Sequence, residues 1–154
     1  IAKQGLEKNP FETRLLLAAS QFSYELHDPS GAEQFLLTAK EDAEDTEEIF
    51  LRLATIYMEQ ERFEDIIALQ SQEPENFLTK WMIARSYQEI EDLDKAYELY
   101  QELSSDLKDN PEFLGQYTYL LRELGYFEEA KTQAEAYLKL VPDDVQMQEL
   151  LETL

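Results

Sequence analysis

The 154-residue sequence contains no cysteine, a single histidine, four glycines and five prolines. Without cysteine, disulfides, thiolate metal sites and cysteine nucleophiles are excluded, and the composition suits a reducing compartment. We therefore expect the chain to be cytoplasmic. Glycine and proline are scarce while Leu, Glu, Ala, Gln and Lys are abundant, and this balance favours helix along the whole chain. The sequence predicts an all-α protein.

Positive charge is also scarce, with 13 basic residues against 34 acidic ones and a net charge of -21 at pH 7. Nucleic-acid backbones and anionic membrane surfaces both require a concentrated positive field, so we expect no nucleic-acid partner and no membrane binding. The longest purely apolar run, residues 15–19, is far shorter than the roughly 20 residues that span a bilayer. The hydrophobic content of 44% is nevertheless sufficient for a folded core.

Groups that could carry catalysis or hold a metal are nearly absent from the sequence. The single histidine, His27, falls in a predicted turn, with neither a second histidine nor a cysteine for a zinc site or a nucleophilic pair. The acidic run of residues 41–48 lacks the alternating ligands and central glycine of an EF-hand loop, so we interpret it as a solvated loop between helices. We expect no enzyme activity, no cofactor and no bound metal.

Four segments of the chain repeat one pattern, in which an apolar residue lies three positions before a small or aliphatic one. The aligned positions, separated by 34, 30 and 34 residues, are Ala32, Ile66, Ala96 and Ala130. A second series about twelve residues upstream has the same separations: Ser20, Ala54, Ala84 and Thr118. The agreement of the two series indicates a repeat of two amphipathic helices, with small residues where the two helices cross. The four missing residues fall in the second helix of the second repeat, which we expect to end near Ser71.

Capping chemistry predicts where the helices begin and end. Asn9-Pro10 and Asn110-Pro111 each place a capping side chain before a proline at the first helical position, and Thr46 and Asp143 can cap in the same way. Gly125 is expected to form the last hairpin turn, and Pro142 to end the helix that follows it.

A hairpin of 34 residues with this spacing resembles the tetratricopeptide repeat, and the chain looks like a fragment of a bacterial-type array of such repeats. The residues that carry the resemblance are Ala54, Tyr57, Phe63, Ala84, Tyr87, Ala96, Leu114, Leu121, Gly125, Phe127, Ala130 and Pro142. The sequence departs from the family pattern at Ser23, Pro29 and Ile66. The resemblance implies a right-handed α-solenoid of antiparallel helix hairpins.

The repeat frame divides the chain into six segments. Residues 1–10 are expected to be the remnant of a preceding repeat helix, and residues 145–154 a C-terminal capping helix. The four units between them are about residues 13–46, 47–76, 77–110 and 111–144.

In this family the concave wall is built mainly from the first helix of each hairpin, which implies a binding face on this chain. Its predicted residues are Arg14, Leu17, Gln21, Tyr24, Leu51, Arg52, Thr55, Met58, Trp81, Arg85, Gln88, Tyr119 and Arg122. This face holds four of the five arginines and the only tryptophan, residue types that are enriched in protein interfaces.

Two interpretations of this face compete. In the first, Trp81 and Met58 are apolar anchors, while Arg52, Arg85 and Arg122 select carboxylates of a peptide ligand. In the second, the arginines form ordinary pairs within their own helices, as Arg52 would with Glu48 and Arg85 with Glu89. Leu17, Leu51 and Trp81 would then pack against neighbouring repeats.

The leading functional hypothesis is a non-catalytic scaffold that binds a protein or peptide with acidic and apolar residues on its concave face. A second hypothesis is self-association into a homodimer through exposed Leu and Met residues or the terminal helix. A third is a regulatory or sensor segment of a larger protein, since Ile1 is not a natural start.

Overall fold

The computed structural model describes residues 10–154, and all regular secondary structure in that range is helical, which confirms the predicted all-α class. The helices are α1 Pro10–Glu25, α2 Pro29–Asp42, α3 Glu47–Glu59, α4 Phe63–Ala68, α5 Phe77–Glu89, α6 Leu93–Leu103, α7 Pro111–Leu124, α8 Phe127–Leu140 and α9 Val145–Thr153. Short turns join α1 to α2, α3 to α4, α5 to α6 and α7 to α8, so each pair forms a helix hairpin. The fold class is that of the α-solenoids.

Across residues 10–154, the structure contains no helix that is both long and apolar enough to span a bilayer.

The predicted remnant helix of residues 1–10 lies outside the described residues except for Pro10, which begins α1. The predicted cap at Asn9 lies outside them as well. Val145–Thr153 is helical and packs on α8. Its capping role stays a prediction.

The predicted cap at Asn110 is confirmed, Thr46 lies at the predicted cap position without making the capping bond, and the cap predicted at Asp143 is wrong by one residue. Asn110 accepts a hydrogen bond from the Phe113 N–H at 3.2 Å, as expected of a cap. Thr46 makes no side-chain capping bond, because its own backbone is already helical (φ -101°, ψ -3°), and Asp45 instead accepts from the Glu47 N–H. At the last helix the cap is Asp144, whose extended backbone lets its carboxylate accept from the Met147 N–H at 3.0 Å.

The second helix of the second repeat is short, as the missing four residues predict. Helix α4 has 6 residues, against 14 in both α2 and α8. A 3₁₀ turn, Leu69–Gln72, continues this helix and ends close to Ser71, where the sequence predicted the helix to end. The deletion removes about one helical turn.

Contacts between Cα atoms divide the chain into two compact units, one up to Met82 and one from Ile83, with the division inside α5. In the first unit, α1 packs on α2 through small residues. Ser20 and Ala32 are buried, and the Ser20 hydroxyl donates to the Ala32 carbonyl at 3.1 Å. The predicted helix crossing at small residues is therefore present in this hairpin.

An ion pair joins the first hairpin to the second. The Arg62 guanidinium donates to both carboxylate oxygens of Glu33, at 2.7 and 3.1 Å, and to Asp65 at 2.7 Å. It also lies 4.4 Å from the ring centroid of Tyr57, whose hydroxyl donates to Glu33. Burial, and then the negative charge of Glu33, raise the pKa of Tyr57 to about 12. The two-pronged geometry fixes the register of α2 against α3 and α4.

The second unit is centred on aromatic rings. Tyr100 of α6 stacks on Phe113 and on Tyr117 of α7, each at a centroid distance of 5.3 Å. At the other end of the unit, Ala134 of α8 packs with Met147 and Leu150 of α9. Aromatic and aliphatic packing therefore holds successive hairpins of this unit together.

Each hairpin turn contains one residue with left-handed backbone at the same repeat position. These residues are His27, Glu61, Glu91 and Gly125, with φ of 61°, 55°, 64° and 80°. Gly125 forms the last turn as predicted. The other three turns carry side chains in a conformation that L-residues adopt at a cost of about 1–2 kcal/mol.

Replacing Glu91 by glycine is therefore expected to raise the free energy of unfolding. Glycine removes the left-handed strain of the folded state. It also makes the unfolded chain more flexible, which lowers the free energy of unfolding by about 0.4–1 kcal/mol. The expected net gain is about 0.5–1 kcal/mol. Urea unfolding followed by circular dichroism measures it. Gly125→Ala is the matched control and should lower stability, whereas a loss of stability in Glu91→Gly would contradict the assigned turn.

Candidate binding cleft

A cleft of about 230 Å³ lies between α1 and α3 in the first unit. The first helices of two successive hairpins form its walls, and Leu36 of α2 lies on its floor. The residues that line it are Ser20, Gln21, Tyr24, Leu36, Leu51, Arg52, Thr55 and Ile56. The lining therefore combines aliphatic side chains with an arginine, an amide and two kinds of hydroxyl.

Arg52 lies at one end of this cleft and connects its two walls. Its guanidinium donates to the Leu17 carbonyl at 3.3 Å and to the Gln21 side chain at 3.4 Å, both on α1. It also pairs with Glu48 on its own helix at 2.6 Å. The predicted pair of Arg52 with Glu48 is thus formed, but the same guanidinium also reaches across to the neighbouring helix.

Tyr24 connects the two walls at the other end. Its hydroxyl donates to the Glu59 carboxylate of α3 at 2.5 Å. This hydrogen bond raises the pKa of Tyr24 above its usual value, and burial of the side chain raises it further by a smaller amount. A neighbouring cavity of about 560 Å³ shares Gln21 and Tyr24 with the cleft and adds Glu25, His27 and Glu59. The cleft is therefore bounded by a cation at its Arg52 end and by carboxylates at its Tyr24 end.

The structure brings five of the thirteen predicted site residues to this cleft: Gln21, Tyr24, Leu51, Arg52 and Thr55. Leu17 contributes its carbonyl oxygen to Arg52. Arg14 lies instead beside a separate cavity of about 470 Å³, together with Asp42, Glu44 and Asp45. Met58 is partly buried and is not among the residues that line the cleft.

The expectation that Trp81 is an exposed anchor is wrong, since this residue is only 8% exposed. An indole has a large apolar area, and burying it stabilises the fold more than leaving it for a ligand. For Trp81 the packing interpretation is therefore the better one.

The predicted residues of the second unit show a different environment. Arg85 and Gln88 are partly buried on α5, whereas Tyr119 and Arg122 are exposed on α7. The Arg122 guanidinium lies 6.0 Å from the Tyr119 ring centroid. Among residues 10–154, Arg85 forms no ion pair, so the expected pair with Glu89 is not formed.

A second cavity, of about 270 Å³, lies between α7 and α9 of the second unit. Gly115 and Tyr119 line it on the α7 side, with Tyr137 and Met147 opposite. This cavity corresponds in position to the cleft. The cleft lies between α1 and α3 over α2, and this cavity lies between α7 and α9 over α8.

Sequence reasoning missed three residues of the cleft, Ser20, Leu36 and Ile56. Ser20 and Leu36 belong to the pattern that marks the hairpin framework, and both are buried beneath the cleft. Ile56 follows Arg52 by four residues, so helical spacing places the two on one face and could have identified it.

Antiparallel helix pairs that repeat about every 34 residues, with small buried residues at the crossing, define the tetratricopeptide-repeat class of α-solenoid. The fold of the described residues is of this class. Residues 78–144 match the family model described as YpiA-like, C-terminal tetratricopeptide repeats. No curated protein sequence matches the chain.

Solved structures share this fold at low sequence identity. A tetratricopeptide repeat protein from Parabacteroides merdae is 21% identical, with a TM-score of 0.76 over 88% of this chain. This chain spans 56% of that protein's length. MamA from Desulfovibrio magneticus RS-1 is 10% identical, with a TM-score of 0.80 over 94% of this chain and 83% of its own. At these identities the similarity concerns the fold alone.

Proposed function

We propose that this chain is a non-catalytic protein-interaction scaffold, and that the cleft between α1 and α3 binds a peptide segment of a partner protein. The observation that carries the proposal is the composition of the cleft. Leu51 provides a partly exposed apolar wall above the buried Leu36 and Ile56, while Arg52 and Gln21 provide polar groups beside it. A concave apolar surface with a few placed polar groups is typical of ligand sites. The absence of cysteine supports a reducing compartment such as the cytoplasm.

Arg52 supplies the polar contact that orients a ligand. A guanidinium has five N–H donors, and the described contacts of Arg52 with Leu17, Gln21 and Glu48 engage three N–H···O bonds. The remaining donors can hold a ligand carboxylate or carbonyl oxygen. Because Arg52 is already held from two helices, little side-chain entropy is lost when a ligand binds.

The charge along the cleft sets the direction of the bound peptide. A ligand carboxylate lies at the Arg52 end, an apolar side chain enters against Leu51 and Ile56, and a neutral or basic residue lies at the Tyr24 end. Glu25 and Glu59 stand near that end. The net charge of -21 repels strongly acidic chains, so the ligand has few carboxylates.

The test selects peptides on the wild-type chain from a random-sequence display library and measures their affinity by fluorescence anisotropy. Thr55→Arg places a long side chain in the cleft and should weaken binding about tenfold or more. Thr132→Arg on α8 is the matched control, because both threonine hydroxyls donate to the carbonyl four residues earlier, Thr55 at 2.8 Å and Thr132 at 3.1 Å. Peptides that bind wild type and Thr55→Arg equally would contradict the proposal.

A further inference from the structure

A glycine inside helix α7 borders the cavity between α7 and α9. In the repeat frame the equivalent positions of the first three repeats carry large side chains: Leu17, Leu51 and Trp81. Leu51 lines the cleft between α1 and α3, whereas in the fourth repeat Gly115 leaves this side chain out and a cavity of about 270 Å³ lies beside it. The cavity therefore depends on a residue that is particular to the fourth repeat.

Packing alone does not require glycine at this position. A Cβ atom on residue 115 would lie 3.4 Å from the Tyr137 ring and 3.9 Å from the terminal methyl of Met147, which are ordinary van der Waals distances. Glycine in a helix interior destabilises the helix by about 0.5–1 kcal/mol relative to alanine. Because alanine would fit and would favour the helix, Gly115 keeps the cavity open at a cost to stability.

Aromatic rings and carboxylates meet in the lining of this cavity. Among its lining residues are two tyrosines and two acidic residues: Tyr119, Tyr137, Glu112 and Asp144. The residues that line the cleft between α1 and α3 include an arginine and no carboxylate. The two cavities therefore favour ligand groups of opposite charge.

The carboxylates of this cavity have no cationic partner in the described part of the chain. The Tyr137 hydroxyl donates to Asp144 at 2.6 Å, and the Met147 N–H donates to it at 3.0 Å. These two bonds, with that of Tyr137 the larger cause, lower the pKa of Asp144 and keep it ionised at neutral pH. Within residues 10–154, neither Glu112 nor Asp144 forms an ion pair. A carboxylate has about four acceptor sites, so both can accept further hydrogen bonds.

We propose that the cavity between α7 and α9 binds the guanidinium of an arginine side chain from a partner protein. A planar guanidinium stacks on tyrosine rings and donates parallel hydrogen bonds to a carboxylate, so it uses both parts of the lining. The ammonium of lysine has no planar face and fits this lining less well. The cavity is smaller than the roughly 300–1,000 Å³ of pockets that enclose a whole drug-sized ligand, which suits a single side chain.

Charge favours a protein as the source of this arginine. The net charge of -21 attracts basic segments of other proteins and speeds their encounter. Free arginine carries its own carboxylate, which the same negative field repels. Arg122 lies 6.0 Å from the Tyr119 ring centroid and is not among the residues that line the cavity. It is ten residues from Glu112 on the same helix, or about 15 Å along the axis, so it leaves the Glu112 end free for a cation.

This site does not depend on the proposed peptide cleft. The two cavities lie in different units and share no lining residue. Thr55→Arg, which fills the cleft, should leave binding of an arginine side chain at the second cavity unchanged. Failure at one site therefore does not decide the other.

The test titrates the isotope-labelled full chain with N-acetyl-arginine amide and follows backbone amide signals by NMR. We expect saturable shifts of the signals of Gly115, Tyr137 and Met147, with an affinity that falls as salt is added. N-acetyl-citrulline amide has the same shape without the charge and should bind about tenfold more weakly. N-acetyl-lysine amide and free arginine should both bind more weakly than N-acetyl-arginine amide.

Two substitutions locate the site. Gly115→Leu introduces the side chain of the first two repeats, fills the cavity and should reduce affinity about tenfold or more. Glu112→Gln removes one carboxylate and should reduce affinity severalfold. Glu135→Gln is its matched control, because it makes the same change at an exposed glutamate of α8 outside the cavity, and should leave affinity unchanged. If Gly115→Leu lowers the helical content, the comparison of the two glutamate variants decides.

Four results would overturn the proposal. They are absence of saturable shifts with N-acetyl-arginine amide, equal binding of the citrulline probe, equal binding to folded Gly115→Leu, and equal effects of Glu112→Gln and Glu135→Gln. Tighter binding of free arginine than of its acetylated amide would overturn the assignment to a partner protein, because the ligand would then be the amino acid.

Discussion

Replacing Phe113 by alanine is expected to lower the free energy of unfolding by about 3–5 kcal/mol. The side chain is fully buried and stacks on Tyr100 at 5.3 Å, with Tyr117 at 5.7 Å. Its removal leaves a cavity between α6 and α7 and deletes the aromatic contacts that join two hairpins. Guanidinium unfolding followed at 222 nm measures the loss.

The repeat supplies a control for this substitution. Leu15 occupies the equivalent position in the first repeat but is exposed, so Leu15→Ala should change stability by less than about 1 kcal/mol. Similar losses in the two variants would mean that residue 15 is covered in solution.

Replacing Ile66 by alanine is expected to cost about 2–5 kcal/mol, although alanine is the residue that the family pattern favours at this position. Ile66 is fully buried on α4, the shortest of the described α-helices. Because Ile66 is fully buried, its truncation leaves a cavity in this hairpin. Thermal and urea unfolding of the variant measure the effect.

The reverse substitution at the matching position completes this comparison. Ala130 is also fully buried, where α8 crosses α7, and Ala130→Ile should cost about 1–3 kcal/mol by overpacking. A gain in stability for Ile66→Ala would show that residue 66 is strained rather than well packed. That result would contradict the present account of the second hairpin.

Local sequence features predicted much of the fold. The separations of 34, 30 and 34 residues located the hairpins and the shortened helix, because deleting about one turn shortens only the separation that contains it. Gly125 and Asn110 were predicted correctly because their turn and capping roles depend on their own backbone and on residues within four positions. Thr46 lies at the cap position, but its helical backbone leaves the capping bond to Asp45, and at the last helix the extended residue is Asp144 rather than Asp143.

The candidate site was less accessible to sequence reasoning. The family resemblance placed Gln21, Tyr24 and Arg52 on the concave face of first helices, and they do line one cleft. It could not distinguish them from Trp81, which has the same repeat position as Leu17 but is buried. Burial depends on which neighbouring side chains occupy the surrounding space, and residues distant in the sequence supply most of these.

The sequence by itself determined the helical class, the hairpin period and the small residues at the crossings, because each depends on spacing along a single chain segment. Only the tertiary structure decided that Arg52 reaches Leu17, that Tyr24 reaches Glu59, and that Leu15 and Phe22 are exposed where later repeats bury the same positions. The two cross-helix contacts each join residues 35 positions apart. Their distances depend on the relative placement of two helix axes, which no local pattern specifies.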